Sequence, residues 1–177
     1  MFKGLLAVQD DDARTRLGRY LACLRHWSPK VNLTGAQSEE EAFHTLIRPI
    51  LGAEGLLSNP VVDVGSGNGS PGLILAALRP DLEFTLLEPR AKRWAFLRDA
   101  VREMNVQNVT VRRERSDAYR GPKAATVTMR AVGLDPGALR PLLAPGGSVL
   151  VFGGPELPGA ETFRLPAGST VQRRCFT

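Results

Sequence analysis

The segment of residues 60–72 constrains the fold of this 177-residue chain more than any other part of the sequence. Residues 61–64 form a short, mostly apolar run that predicts a buried strand, and Gly65, Gly67 and Gly69 follow at alternate positions. Because glycine has no Cβ, such a backbone can turn sharply and can approach a ligand closely. The pattern predicts a nucleotide-type site at the end of the first strand of an α/β sheet.

Two classes of nucleotide fit this glycine pattern. Gly67, Gly69 and Gly72 match the G-x-G-x-x-G fingerprint of dinucleotide-binding proteins, and Glu88 follows at about the expected 20 residues. Asp63 favours another ligand, because that strand position is normally apolar in a dinucleotide site. S-adenosylmethionine carries a sulfonium, an α-amino group and a ribose diol, so acids at two strand ends favour it over a nicotinamide cofactor. A structural role for Asp63, as a helix or loop cap, is the alternative.

Composition excludes several other classes. The chain is 43% hydrophobic, which suits one packed domain, and no apolar stretch approaches the ~20 residues of a membrane span. We expect no signal peptide, because the first residues show no charged segment followed by an apolar one. Cys23 and Cys175 match no metal or redox spacing, so we expect reduced thiols, a cytoplasmic location and no metal. A net charge of +5 beside a nucleotide-type site favours a polyanionic substrate.

Residues 1–58 are predicted to be a helical N-terminal extension. Its first helix carries an apolar stripe at helical spacing, formed by Leu17, Tyr20, Leu21, Leu24 and Trp27. Ser38 and Glu41 form a capping box that opens a second helix, and Pro49 predicts a kink in it. The apolar side of this second helix consists of Ala42, Phe43, Leu46, Ile47, Ile50 and Leu51.

Residues 59–177 are predicted to be an α/β core within the same single domain. Strands are predicted at 61–64, 83–87, 109–113, 125–129 and 148–152, and helices at 72–78, 92–104 and 136–143. This alternation predicts a mostly parallel sheet with helices on both faces. Residues 163–165 and 170–176 are predicted to pair as a final antiparallel hairpin.

The order of the motifs is that of one known family. The motifs are Tyr20-Leu21, Lys30-Val31-Asn32-Leu33-Thr34, Asp63-Val64-Gly65-Ser66-Gly67-Asn68-Gly69, Pro71-Gly72, Arg79-Pro80-Asp81-Leu82, Leu86-Leu87-Glu88, Lys92-Arg93, Phe96-Leu97, Arg130-Ala131-Val132 and Pro145-Gly146-Gly147. On these residues the chain resembles the bacterial glucose-inhibited division protein B family, ribosomal RNA methyltransferases that modify N7 of guanine. The resemblance implies a Rossmann-like class I methyltransferase fold, S-adenosylmethionine as cofactor, and 16S ribosomal RNA or the small ribosomal subunit as partner. We expect a monomer.

The resemblance also assigns roles to single residues. Residues expected to bind the methionine part of the cofactor are Asp63, Gly65, Ser66, Gly67, Gly69 and Ser70. Glu88 is expected to bind the ribose diol, and a surface acid beside Arg90 is the alternative. Ser116 and Asp117 follow the third strand, where the family contacts adenine, although Asp117 could instead cap a loop or helix.

Arg130 is the best candidate for the substrate side, because a charged residue ends an otherwise neutral strand. Its alternative is a salt bridge to Asp135 or Glu88. Arg115 is the second substrate candidate. Guanine N7 already carries a free lone pair, so methyl transfer to it needs no general base, and we expect no catalytic acid or base.

Basic residues could also form an RNA-binding surface. One set lies opposite the apolar stripe of the first helix, as on any solvated face: Arg14, Arg16, Arg19, Arg25, His26 and Lys30. A second set lies nearer the predicted site and is the better candidate: Arg112, Arg113, Arg115 and Lys123.

The chain departs from the family pattern on the substrate side. Ser70 stands where the family usually has Phe, Gly153 replaces a lysine after the fifth strand, and residues 46–51 lack the family's His and Asp. A helix before the final hairpin is not expected, and the loop at residues 119–123 is short. Two alternatives therefore remain: a methyltransferase with another substrate, and a catalytically silent RNA-binding relative. A nicotinamide-dependent oxidoreductase ranks last.

Overall fold

The computed structural model describes residue 4 and residues 7–176. Helix α1 (Asp11–Trp27) begins after Asp10, whose carboxylate accepts a hydrogen bond from the amide of Ala13. The predicted apolar stripe is buried in the core, apart from Trp27 at its end, which is partly buried. No helix in the described part of the chain is long and apolar enough to cross a membrane.

The second helical segment is less regular than a single kinked helix. Helix α2 (Glu39–Ala42) continues as a π-helix over Phe43–Ile47 and as a 3₁₀-helix over Arg48–Ile50, and a further 3₁₀-turn covers Glu54–Leu56. Pro49 lies in the stretch where the helix tightens, as its missing N–H requires.

The capping box at the start of this segment is confirmed only in part. Ser38 Oγ accepts a hydrogen bond of 3.1 Å from the amide of Glu41. The Glu41 carboxylate, however, accepts from the amide of Gln37, one residue before the expected partner.

Seven strands form one sheet in the order β3-β2-β1-β4-β5-β7-β6. The strands are β1 (Val61–Val64), β2 (Phe84–Leu87), β3 (Val109–Arg112), β4 (Ala124–Arg130), β5 (Leu143–Phe152), β6 (Glu161–Arg164) and β7 (Thr170–Cys175). Strands β1 to β5 are parallel, and β7 pairs antiparallel with both β5 and β6. Helices α3 (Gly72–Leu78) and α4 (Ala91–Met104) follow β1 and β2. The predicted mostly parallel α/β sheet and its final hairpin are confirmed.

Two elements before and within β5 differ from the sequence prediction. The helix expected at 136–143 is a 3₁₀-helix over Pro136–Leu142, since Pro141 inside it cannot donate a helical hydrogen bond. Strand β5 begins at Leu143, five residues early, because Leu143 pairs with Ala124 before an irregularity in the ladder. The Pro-Gly-Gly sequence at residues 145–147 therefore lies inside the strand.

The two faces of the sheet carry different cores. One core joins α1, α3 and α4 to the sheet through buried residues such as Leu17, Leu75 and Phe96. The second core is smaller and is closed by Leu139 and Leu142 of the 3₁₀-helix and by Tyr119. Helices therefore flank both faces, but the helix on the second face is a 3₁₀-helix, and none of the described residues in the second core belongs to an α-helix.

The N-terminal segment packs on the α4 side of the core through specific polar contacts as well. Trp27 Nε1 donates to the Asp99 carboxylate of α4 at 2.8 Å. Tyr20 donates from its hydroxyl to the Asn68 carbonyl, also at 2.8 Å. These bonds attach α1 to α4 and to the loop that follows β1.

Candidate active site

The candidate site lies where the order of the parallel strands reverses. Strand β1 has β2 on one side and β4 on the other, so the loops that leave β1 and β4 diverge. In open α/β sheets, ligands bind in the crevice that this divergence creates. Among the predicted cofactor residues, Asp63 lies within β1 and the others follow β1, β2 and β3, while Arg130 is the last residue of β4.

The glycine loop, residues 65–69, depends on its glycines for its conformation. Gly65, Gly67 and Gly69 have φ angles of 69°, 50° and 90°, in the left-handed region that glycine adopts without strain. A Cβ on Gly65 would lie 2.8 Å from Cγ2 of Val132. The glycine therefore also lets the loop after β4 pack directly against the glycine loop.

Three consecutive amides of the glycine loop donate within the protein. Those of Gly65 and Ser66 donate to the Leu87 carbonyl, and that of Gly67 donates to Oε2 of Glu88 at 3.0 Å. A loop that cradles a pyrophosphate instead presents free amides to the anion. The hydrogen bonds of this loop therefore favour a ligand with cationic groups over a dinucleotide.

Asp63 lies beneath the loop and is fully buried. Its Oδ1 accepts a hydrogen bond of 2.7 Å from Thr128 on β4, while Oδ2 has no hydrogen-bond partner among the described residues. Burial raises the pKa of Asp63 to about 6, and the hydrogen bonds to its carboxylate oppose this only in part. A Cβ on Gly72 would come within 2.6 Å of this side chain, so α3 also closes over it. A contact between Asp63 and the cofactor stays a prediction.

Glu88 connects the loops after β1 and β2. Its Oε2 accepts from the Gly67 amide, and its Oε1 accepts from the Arg90 amide at 2.8 Å. The residue is only 3% exposed, so the alternative of a surface acid beside Arg90 is wrong. A carboxylate offers about four lone-pair sites, which leaves about two to accept the hydroxyls of a ribose diol.

Ser116, Asp117 and Arg115 lie on the loop after β3. Arg115 Nε and Asp117 Oδ1 are 3.4 Å apart, and both side chains are 70% exposed. Exposed pairs of this kind contribute little to stability, so both side chains can rearrange when a ligand binds. Ser116 and Asp117 also line a cleft of about 510 Å³ that Tyr119, Lys123 and the 3₁₀-helix complete.

Arg130 points toward the N-terminal segment. Its Nη1 donates to Ser70 Oγ and its Nη2 donates to the Thr45 carbonyl, each at 2.7 Å. Within the described residues, neither Asp135 nor Glu88 forms an ion pair with it, so the salt-bridge alternative is wrong. Burial lowers the pKa of Arg130, which nevertheless remains a cation.

The two predicted substrate residues do not lie together. Arg115 follows β3 and Arg130 ends β4, and the two strands are separated by β2 and β1. With neighbouring strands about 4.8 Å apart, β3 and β4 are about 14 Å apart. The predicted cofactor residues therefore lie at β1, β2 and β3, and the predicted substrate residue Arg130 lies apart from them at β4.

The basic residues of α1 make contacts within the protein. Arg14 pairs with Asp11, and Arg16 donates to the Ala77 carbonyl of α3. Arg25 lies 3.5 Å from Glu39. These contacts support a structural role for this face of the helix, and a role in RNA binding stays a prediction.

Sequence reasoning assigned no role to Asn68, Thr128 or Arg93, which the structure places at the site. Thr128 binds the buried Asp63 carboxylate. Arg93 donates to the Asn32 carbonyl at 3.0 Å, and its Nη1 would lie 3.5 Å from a Cβ on Gly67. For Asn68, the sequence offers one indication of a role at the site: it is a polar residue between two glycines of the loop.

Comparison with known proteins agrees with this geometry. Residues 13–157 match the family described as rRNA small subunit methyltransferase G. The protein named ribosomal RNA small subunit methyltransferase G from Wolinella succinogenes is 38% identical, over 85% of this chain and 80% of that protein. The protein of the same name from Halorhodospira halophila is 36% identical, over 94% of this chain and 88% of that protein.

Solved methyltransferase structures share the fold. An RNA methyltransferase from Salinibacter ruber, in complex with S-adenosyl-L-homocysteine, has a TM-score of 0.52 at 25% identity and covers 66% of this chain and 80% of its own. Precorrin-6y C5,15-methyltransferase from Geobacter metallireducens also has a TM-score of 0.52, at 16% identity, over 80% of this chain and 90% of its own. The second likeness shows the fold alone.

Fold and site together define a class I methyltransferase that uses S-adenosylmethionine. Within this class, the chain belongs to the rRNA small subunit methyltransferase G family. The predicted family, fold class, enzyme class and cofactor are thereby confirmed.

The buried Asp63 carboxylate should make stability depend on pH in an unusual direction. Its folded pKa of about 6 is above the usual 3.8, so between these values folded Asp63 holds a proton that the unfolded chain has released. Relative to Asp63→Asn, which cannot titrate, the wild type should lose about 3 kcal/mol of unfolding free energy as the pH rises from about 4 to about 7. Urea unfolding of both proteins across this range measures the difference.

Asp81→Asn provides a control of opposite sign. A hydrogen bond from Arg79 lowers the pKa of the exposed Asp81, so here the wild type should gain stability over the variant as the pH rises through about 4. A stability difference between wild type and Asp63→Asn that does not change with pH would contradict the account of Asp63.

Proposed function

We propose that this protein transfers the methyl group of S-adenosylmethionine to N7 of a guanine in 16S ribosomal RNA. Two features of the glycine loop carry the proposal. The amides of Gly65, Ser66 and Gly67 already donate within the protein, so they are not free to bind a phosphate. The loop also lies beside the buried carboxylates of Asp63 and Glu88. This combination suits a cationic nucleoside. Membership of the methyltransferase G family supports an RNA substrate.

The chain offers a group for each part of the cofactor. Backbone carbonyls of the glycine loop, and Asp63 directly or through water, would accept from the α-amino group. Glu88 would accept from the ribose diol. Ser116 and Asp117 would contact the adenine once the loop that follows β3 has rearranged. When bound, S-adenosylmethionine supplies an electrophilic methyl group on its sulfonium.

The substrate side needs orientation and no proton transfer. Guanine N7 carries a lone pair that is free to attack, so the protein must hold the base in line with the methyl group and exclude water. Orientation of this kind can contribute about 7–11 kcal/mol of barrier lowering. Arg130 would act here, since its guanidinium can bind a phosphate or the acceptor edge of a purine.

The outer edge of the sheet would bind the RNA backbone. Arg112, Arg113 and Arg115 are all exposed at or beyond the end of β3, the edge strand. Arg112 also lies over the ring of Tyr119, 5.6 Å from its centroid. Cations in this position can neutralise phosphates on either side of the bound nucleotide. We propose that the protein does this as a monomer, in the cytoplasm, on 16S ribosomal RNA or the small subunit.

A methyltransferase with a different substrate is the second candidate. The observations that favour it lie on the substrate side, where Pro49 interrupts the second helical segment and residues 153–160 form no helix. A silent RNA-binding relative would share these features but would transfer no methyl group.

The cofactor assignment predicts selective binding. S-adenosylhomocysteine should bind in a calorimetric titration, and NAD should not. Gly67→Val should weaken binding at least about tenfold, because a β-branched residue is strained at a φ of 50° and the loop must change shape. A Cβ at Gly67 would itself be in ordinary van der Waals contact, with Nη1 of Arg93 as its nearest atom at 3.5 Å.

Gly146→Val is the matched control for this titration. Gly146 also has a positive φ, of 74°, and lies in β5 away from the loop with no atom within 4 Å of a Cβ. It should cost similar stability and leave cofactor affinity unchanged. Unchanged binding by Gly67→Val, or equal binding of NAD by the wild type, would refute the cofactor assignment.

Arg130→Ala should lower methyl transfer to 16S ribosomal RNA about ten- to a hundredfold, because hydrogen bonds to a charged group are lost. Cofactor affinity should change little. Lysine should restore only part of the activity, since it lacks a planar fork of donors. Arg164→Ala on β6 removes the same charge from an exposed site and should keep full activity.

The three variants should be compared by melting temperature, cofactor affinity and RNA methylation on one preparation of each. If Arg130→Ala keeps full activity and only melts at a lower temperature, Arg130 has no role toward the substrate.

A further inference from the structure

Arg130 is held at both terminal nitrogens by atoms from other parts of the chain. Nη1 donates to Ser70, the residue after the glycine loop, and Nη2 donates to the carbonyl of Thr45 in the second helical segment. Both bonds are 2.7 Å long, as is usual for bonds that involve a charged group. The guanidinium cannot turn about its Nε–Cζ bond without breaking both.

The Thr45 carbonyl is available because of Pro49. In a regular α-helix this carbonyl would accept from the amide of the residue four positions later, which here is a proline without an N–H. Across these residues the segment is a π-helix followed by a 3₁₀-helix. Arg130 donates to the Thr45 carbonyl, so an irregularity in the N-terminal segment becomes a binding position for an arginine.

The hydroxyl of Ser70 is oriented by the same segment. It has one proton, which it donates to the Leu46 carbonyl at 2.7 Å. Its lone pairs therefore remain for Arg130, and its amide donates to Asn68 Oδ1 at 3.1 Å. Ser70 is only 7% exposed, so water has little access to compete for these bonds.

We propose that Ser70 is a positioning residue for the substrate side: its hydroxyl and the Thr45 carbonyl fix the orientation of the Arg130 guanidinium, and the remaining N–H groups of the guanidinium are then held in place to contact the RNA. The proposal rests on the proposed function of Arg130. It transfers the Ser70 side chain from the cofactor side, where the sequence placed it, to the substrate side. It also makes the N-terminal segment part of the methyl-transfer site.

The test compares Ser70→Ala with Ser70→Thr, which keeps the hydroxyl. Ser70→Ala should lower kcat with 16S ribosomal RNA about tenfold. This is the lower end of the effect expected for the loss of one hydrogen bond to a charged group, because the bond from Arg130 to Thr45 remains. Ser70→Thr should restore most of it. The affinity for S-adenosylhomocysteine should be the same in all three proteins.

Ser169→Ala is the matched control, because Ser169 also donates from its hydroxyl to a carbonyl of the N-terminal segment, that of Pro49, at 2.8 Å. It should lower the melting temperature about as much as Ser70→Ala does and leave kcat unchanged. A parallel loss of activity in both variants would show that Ser70 acts only through stability, and a loss of cofactor affinity in Ser70→Ala would return it to the cofactor side. Either result overturns the proposal.

A second measurement separates this inference from the proposed function. The rotation of the Arg130 guanidinium about Nε–Cζ, measured by nitrogen NMR, should be slow in the wild type and in Ser70→Thr and faster in Ser70→Ala. If the three proteins show these rotation rates but the wild type methylates no RNA, the proposed function fails and the positioning role of Ser70 stands. Equal rotation rates in wild type and Ser70→Ala would refute the positioning role, whatever the activity.

Discussion

The hydrogen bonds of Asn68 hold the glycine loop against the N-terminal segment, and the site depends on this attachment. The Asn68 carbonyl accepts from the hydroxyl of Tyr20, its Nδ2 donates to the Leu33 carbonyl at 3.0 Å, and its Oδ1 accepts from the Ser70 amide. Tyr20 is fully buried, and burial raises its pKa, so its hydroxyl remains a donor. These bonds fix the loop to the N-terminal segment, while the Gly67 amide fixes it to Glu88.

This attachment divides the site into two parts with different electrostatics. On the β1 and β2 side, the loop covers buried carboxylates that suit a cationic cofactor. On the β4 side, Arg130 is held by the N-terminal segment and suits an anionic or acceptor-rich substrate. Ser70 lies between them, because its amide belongs to the network of Asn68 and its hydroxyl to that of Arg130. The N-terminal segment thus contacts both the glycine loop and Arg130, and under the proposed role of Arg130 it is a component of the site.

Sequence patterns predicted the elements whose residues repeat with a regular period. The bounds of β1 and α3 agree with the prediction to the residue, and the other parallel strands as far as β4 agree within one residue at each end. Short apolar strands next to Gly and Pro give strong local signals. The glycine loop and Glu88 were predictable because a ligand site at the end of β1 requires this order of residues.

The rest of the site follows from contacts that have no periodic signal. Arg130 and Thr45 are 85 residues apart, and only the packed structure brings them together. Pro49 predicted a kink. The sequence does not indicate which group donates to the Thr45 carbonyl, because that depends on where β4 ends. The length of β5 likewise depends on the pairing of Leu143 with Ala124. The Pro-Gly-Gly sequence gives no indication of this pairing, because its residues are uncommon inside strands. The same holds for Ser70, whose neighbours in sequence suggested a cofactor contact.

Both parts of the site are proposed to act on one reaction, methyl transfer to guanine N7 of 16S ribosomal RNA. Nucleoside mass spectrometry tests this most directly, on small subunits that lack N7-methylguanosine, after incubation with the protein and isotopically labelled S-adenosylmethionine. We expect label in 7-methylguanosine, at no more than one methyl group per 16S RNA. Label in another nucleoside, or no transfer by a protein that binds S-adenosylhomocysteine, would show that the two parts do not serve this reaction.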